Sequence, residues 1–282
     1  PQIKRERKFN SLTATDGLRQ ILWGLFKKVV IADGCAEFSN LIFNNYNEYS
    51  GIVLIIGALL FTFQIYCDFS GYSDIAIGTA KLFGIDLLKN FSFPYFSRNI
   101  AEFWRRWHIS LTTWFRDYIY IPLGGSKVSK IKVIRNTFLI FLISGFWHGA
   151  NWTFIVWGLL NAIYFMPLLI GKKNRNYVGS TVAEGRLLPS LKEFGQMFMT
   201  FAITVLAWVF FRADNLSDAF DYILKISQDI FNKKSYVEAL NFTIWNMGVG
   251  LPILIILFII VEWLGRFDDF ALGSFVKRWK PQ

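Results

Sequence analysis

Apolar and polar positions alternate along this chain in long blocks. Residues from about 10 to 45 read as helix, with Asp16 three positions after Thr13 in a loose capping-box spacing. Lys27 and Lys28 interrupt its apolar run, so the helix either lies along a membrane surface or crosses with its lysines turned towards protein. Gly51 to Phe69 is charge-free until Asp68 and approaches the roughly 20 apolar residues needed to cross hydrocarbon. The following DFSGYSDIAIGTAKLFGI, residues 68–85, is apolar but dotted with small residues, which let helices approach closely in a membrane. Intramembrane carboxylates such as Asp68 and Asp74 are expected to face protein or a wet cavity.

Residues 89–136 are basic and aromatic, with only Glu102 and Asp117 opposing eight Lys and Arg residues between Arg98 and Arg135. From Thr137 to Gly171 there is no Asp, Glu, Lys or Arg. That stretch is too long for one typical span and suits two short crossings, or one crossing and a re-entrant piece. Residues 172–192 form a basic loop, Gln196–Phe211 a further span, 212–238 a mixed, Asp-rich segment, and Ala239–Val261 a clean final span. Loop charge predicts residues 98–135, 172–192 and 266–282, whose tail carries Lys277, Arg278 and Lys280, in the cytoplasm, with 212–238 outside. No repeat or low-complexity tract divides the chain, and 1–282 is read as a single membrane domain. The fold class expected is all-α, integral and multi-pass. The chain opens with a polar segment and no initiator Met, so it is expected to start mid-protein.

Composition supports the membrane reading. The chain is 54% hydrophobic, 18% aromatic and 18% charged, against about 25% charged in a soluble domain. The net charge of +10, interleaved with aromatic residues, also suits single-stranded nucleic acid. Basic residues flanking apolar spans account for it better, so no nucleic-acid partner is expected and membrane lipid is. The two cysteines, Cys35 and Cys67, sit in apolar helical contexts and read as packing residues. Neither they nor the two histidines have metal-ligand spacing, so no metal is expected.

His148 is the most informative residue. It lies in Ile-Ser-Gly-Phe-Trp-His-Gly-Ala-Asn-Trp, inside the charge-free stretch. A neutral imidazole there can take a proton from a hydroxyl, or it can simply hydrogen-bond another helix. His108, in Phe-Trp-Arg-Arg-Trp-His-Ile-Ser, admits the same two readings, with an interfacial structural role the stronger. Arg105 and Arg106 either bind a phosphate or carboxylate or act as snorkelling anchors. No serine elbow, Walker loop or dinucleotide turn is present, and Gly124-Gly125 reads as a turn.

Four blocks carry a resemblance. FPYFSRNIAEFWRRWHISLTTWFRDYIYIPLGGS and FLISGFWHGANWTFIVWGLLNA resemble the two histidine signatures of bacterial membrane-bound O-acyltransferases. YCDFSGYSDIAIGTAKLFGI and WVFFRADNLSDAF are similar to that family's polysaccharide-acetylating branch, typified by the alginate O-acetyltransferase membrane subunit. The likeness runs from about residue 15 to the last span. Members carry further membrane helices before this point, so the chain is expected to lack the family's N-terminal helices, and isolated activity of the chain is not expected.

The resemblance implies a ring of helices with re-entrant segments around a thinned centre, with funnels on both faces. His148 matches the catalytic histidine and His108 the second polar position. Trp147, Asn151, Arg105 and Arg106 complete the candidate substrate-binding set. No tightly bound cofactor is implied. The donor would be acetyl-CoA or another acyl thioester. The acceptor would be an extracytoplasmic glycan, reached through a secreted or anchored acetyltransferase partner, from a site in the inner (plasma) membrane. D-alanyl transfer to teichoic acid is the alternative within the class. A transporter or channel, the alternative of another class, lacks inverted repeats and gives no reason for the histidines.

Overall fold

The computed structural model describes residue 2 and residues 8–273. Asn10, in extended conformation, caps α1 (Ser11–Leu25) by accepting from the N–H groups of Leu12 and Thr13. The cap therefore lies upstream of the Thr13–Asp16 spacing, and Asp16 instead pairs with Lys81 at 2.6 Å. α1 runs through a π-helical turn, Phe26–Ala32, into α2 (Asp33–Asn44). Against this rod lies α3 (Gly51–Leu82), one continuous helix in which the sequence suggested a span and a separate segment. Glycines set the crossing. A Cβ on Gly17 would stand 2.6 Å from the carbonyl oxygen of Gly78, and one on Gly24 would stand 2.6 Å from that of Gly71.

This contact shows where Lys27 and Lys28 point. Lys27 is buried, 2.6 Å from Asp74 and 2.9 Å from the Ser70 hydroxyl. Gln20 donates to the same aspartate at 2.8 Å. Lys28 pairs with Asp68. Lys27 is turned into the protein, Lys28 and Asp68 pair at a half-exposed surface, and Asp74 faces protein as expected of an intramembrane carboxylate.

A short basic stretch follows, holding α4 (Ile100–Arg106), α5 (Ile109–Phe115) and the turn of Gly124 (φ 97°) and Gly125 (φ 54°). The charge-free stretch resolves into a hairpin of α6 (Lys130–His148) and α7 (Trp152–Ile170). α8 (Leu191–Arg212) starts with a full capping box between Ser190 and Glu193. Then come α9 (Leu216–Asp229) and α10 (Lys233–Asn241), which passes through a π turn, Phe242–Met247, to α11 (Gly250–Leu264). The clean final span expected from the sequence is thus broken, bending by 96°. Gly248, at φ 76°, supplies the backbone freedom at the bend.

Among the described residues, three helices are long and apolar enough to cross a membrane: α3, α7 and α8. The bent pair adds a fourth if it forms one span. No strand occurs among the described residues, and the fold class is all-α as expected.

The loops sort to two ends of the bundle. At one end Arg105 donates to the carbonyls of Asn174 and Asn176 at 2.7 Å each, and Arg106 donates to that of Ser180. Arg266 holds the carbonyls of Val182, Ala183 and Arg186. At the other end Gly51 N–H donates to Asp229, Lys225 donates to the carbonyls of Tyr46 and Asn47, and Asn151 donates to that of Asp214. Segments that loop charge assigned to one side are therefore joined to one another. Residues 274–282, with the basic tail, lie outside the described residues.

Candidate active site

His108 occupies the cap position of α5 in the left-handed conformation, φ 43°. A non-glycine residue there is uncommon, although His is among the types that adopt it. Asn90 fixes the turn: its carbonyl accepts from Ile109 N–H and its side chain from Ser110 N–H. The imidazole meets the ring of Phe69 edge-on, 4.7 Å between centroids, and its Nδ1 is 3.5 Å from the Ser110 hydroxyl.

His148 is the last residue of α6, at the tip of the hairpin. The hairpin is tight because Gly145 and Gly158 each lie directly against a carbonyl of the facing helix, at Phe154 and Phe141. Gly149 makes room for a ring, since a Cβ there would lie 2.7 Å from Phe154. The His148 imidazole is walled by Trp147 at 5.0 Å, Trp157 at 5.2 Å and Phe211 at 5.0 Å. It makes no hydrogen bond to another described side chain.

The two histidines line one cavity of about 340 Å³. Its wall is aromatic: Trp104, Trp107, Trp147, Trp157, Trp208 and Phe211 contribute, with Ser144 and Thr112 among the few polar groups. Trp147 borders both imidazoles, its ring 6.5 Å from that of His108. A second cavity of about 670 Å³ shares Trp104, Thr112, Ile140 and Phe141 with the first. It opens beside Arg105, Arg116 and Arg175, so a basic vestibule adjoins the histidine chamber.

The other candidate residues are placed less uniformly. Arg105 lines the vestibule while holding the 172–180 strap by its carbonyls. Arg106 borders neither cavity; it donates to Glu102 at 2.9 Å, to the Ser92 carbonyl and to the strap. Asn151 caps α7 through Thr153 N–H and donates to the Asp214 carbonyl, and it does not line the chamber.

Sequence reasoning missed Glu102, which is buried and pairs with both Arg98 and Arg106. Its signal was its position as one of only two acids in a basic segment. The vestibule arginines Arg116 and Arg175 carried no signal, because only folding brings the 172–180 strap over α5. No cluster that could hold a metal ion occurs among the described residues.

Residues 5–175 match the profile of MBOAT, the membrane-bound O-acyltransferase family. The chain is 47% identical over 196 residues to a peptidoglycan O-acetyltransferase of Helicobacter pylori, covering 70% of this chain and 36% of that protein. It is 44% identical over 216 residues to the probable alginate O-acetylase AlgI of Pseudomonas aeruginosa, covering 75% of this chain and 39% of that one. A teichoic acid D-alanyltransferase of Bacillus subtilis is 32% identical over 157 residues, covering 52% and 39%. The chain thus spans less than half the length of these curated relatives.

Proposed function

Because this chain belongs to the membrane-bound O-acyltransferase family, we propose that it carries the acyl-transfer centre of a polysaccharide O-acetyltransferase. The observation that carries this reading is the single chamber lined by both His108 and His148 beside a basic vestibule. The relatives named for acetyl transfer to peptidoglycan and alginate support acetyl as the group moved.

The donor is an acyl thioester such as acetyl-CoA, used as a substrate and not held as a cofactor. Its anionic carrier enters from the cytoplasm, where Arg105, Arg116 and Arg175 offer charge to phosphate oxygens. The apolar acyl end passes between Trp104 and Phe141 into the chamber. His148 takes the proton of the acceptor hydroxyl as its oxygen attacks the thioester carbonyl. The carbon–sulfur bond breaks, the thiolate leaves, and the imidazolium returns the proton to sulfur. His108, held rigidly at its strained turn, orients the donor carbonyl with a ring N–H. Trp147 packs the acyl group between the two histidines.

The acceptor is an extracytoplasmic glycan, with an anchored or secreted acetyltransferase partner as carrier, and the protein sits in the plasma membrane. The test is transfer of labelled acetyl from acetyl-CoA by the purified intact protein, supplied with its glycan or partner. Release of free CoA together with acetyl ester on the acceptor is expected. No ester and no CoA release above a heat-killed sample would overturn the reading.

A further inference from the structure

We propose that the chamber admits only uncharged acyl groups and rejects aminoacyl groups, so that selection among donors is by charge and not by size. The proposal rests on the acyl-transfer reading only for the identity of the ligand; the selectivity itself follows from the cavity walls.

Among the described residues, no carboxylate lines either cavity along the route. An aminoacyl group bears a primary ammonium, which must leave water to enter. Taking a charge out of water is costly unless it is paired and hydrogen-bonded. The chamber offers an ammonium only the hydroxyls of Thr112 and Ser144 and the two imidazoles. Thr112 Oγ1 donates to the Trp107 carbonyl at 3.3 Å and can still accept, but none of these neutral groups supplies the negative charge that would pair a buried ammonium. Tryptophan faces hold a quaternary ammonium well, but a primary ammonium keeps three N–H donors that need acceptors.

The vestibule adds an independent barrier of the same sign. Arg105, Arg116 and Arg175 line it; Asp117 pairs with Arg116 at 2.7 Å, and the three arginines still outnumber it. An anionic carrier is attracted there, while a cationic acyl group is repelled until its carrier neutralises the field. Volume imposes no such limit. A chamber of about 340 Å³ accommodates acyl groups longer than acetyl, so a short neutral homologue should enter.

The propionyl and glycyl groups isolate the variable, since they match in size and differ by a methyl against an ammonium. The probes are stable ketone analogues of the short propionyl and glycyl thioesters of N-acetylcysteamine. Their binding to the intact purified protein is followed by calorimetry near pH 6, roughly two units below an ordinary α-amino pKa. The propionyl analogue should bind, and the glycyl analogue at least about ten-fold more weakly. The Ser144→Asp variant places a carboxylate in the wall and should narrow that gap.

Equal or tighter binding of the glycyl analogue to the wild-type protein overturns the proposal, as does failure of both to bind. An unchanged gap in folded Ser144→Asp also counts against it. A propionyl preference in a protein that transfers no acetyl would remove the enzymatic reading and leave charge selection standing.

Discussion

His108 and His148 open onto the same chamber, although one caps a short helix in a basic segment and the other ends a helix of the apolar hairpin. Trp147 borders both rings, at 6.5 Å and 5.0 Å. The two imidazoles differ in what they touch. His108 has the Ser110 hydroxyl at 3.5 Å and a backbone turn built around it, while His148 is ringed by Trp147, Trp157 and Phe211.

That difference separates their roles. Gln at His108 keeps an N–H donor for the donor carbonyl, so His108→Gln should lower acetyl transfer by less than about 100-fold. Turnover measured with acetyl-CoA varied checks this. A loss as deep as that at His148 would make His108 an equal partner in proton transfer.

Sidedness gives a second expectation. Cysteines placed at Lys173 and Ser227, in separate variants, should react with a membrane-impermeant maleimide from opposite faces. Lys173→Cys should label only from the cytoplasm and Ser227→Cys only from outside. The native thiols, Cys35 and Cys67, are fully buried and give little background. Labelling of Lys173→Cys from outside would invert the topology and move the vestibule to the wrong face for a cytoplasmic donor.

Lys27, buried in the π turn that follows α1, pairs with Asp74 of α3. Removing one partner from such a pair typically costs about 3–5 kcal/mol, because the other charge is left uncompensated. Lys27→Met should therefore lower the unfolding midpoint in detergent substantially. Lys27→Met combined with Asp74→Asn should recover part of the loss. Unchanged thermal unfolding of Lys27→Met would show that the pair contributes nothing to the packing of α1.

Asp229 predicts a pH dependence at the opposite end of the bundle. The Gly51 N–H, at 2.7 Å, and then the Asn232 side chain hold its carboxyl below the usual carboxylate range. The folded protein therefore takes up this proton at lower pH than the unfolded chain. The stabilising contribution is complete above the ordinary value of about 3.9 and is lost as pH falls through the lower folded value. The stability difference between wild type and Asp229→Asn should be largest at neutral pH and shrink towards about pH 3. A difference that grew on acidification would contradict the assignment.

Much of this was legible in the sequence, and the reasons are specific. Charge-free blocks located α3, α7 and α8, because apolar length is what a span requires. The spacing of basic and acidic loops anticipated which segments meet at each end. The histidine blocks pointed to the chamber. Other features depended on tertiary contact. The lysines of the first helix were ambiguous until Asp74 and Asp68 were found opposite them on α3. The last span read as continuous, because Gly248 looks like an ordinary small residue in an apolar run; its positive φ marks the break. Arg106 and Asn151, attractive beside the histidines in sequence, are spent on Glu102 and on the Asp214 carbonyl. Sequence adjacency does not determine which way a side chain turns at a helix end.

The central claim is that His148 removes the acceptor proton. Acetyl transfer by purified intact His148→Gln protein tests it most directly, because Gln keeps a polar, hydrogen-bonding side chain but cannot take up the proton. The account predicts a fall of about 10²-fold or more with acetyl-CoA binding retained and folding unchanged. Near wild-type turnover in that variant would contradict it and leave His148 a packing residue.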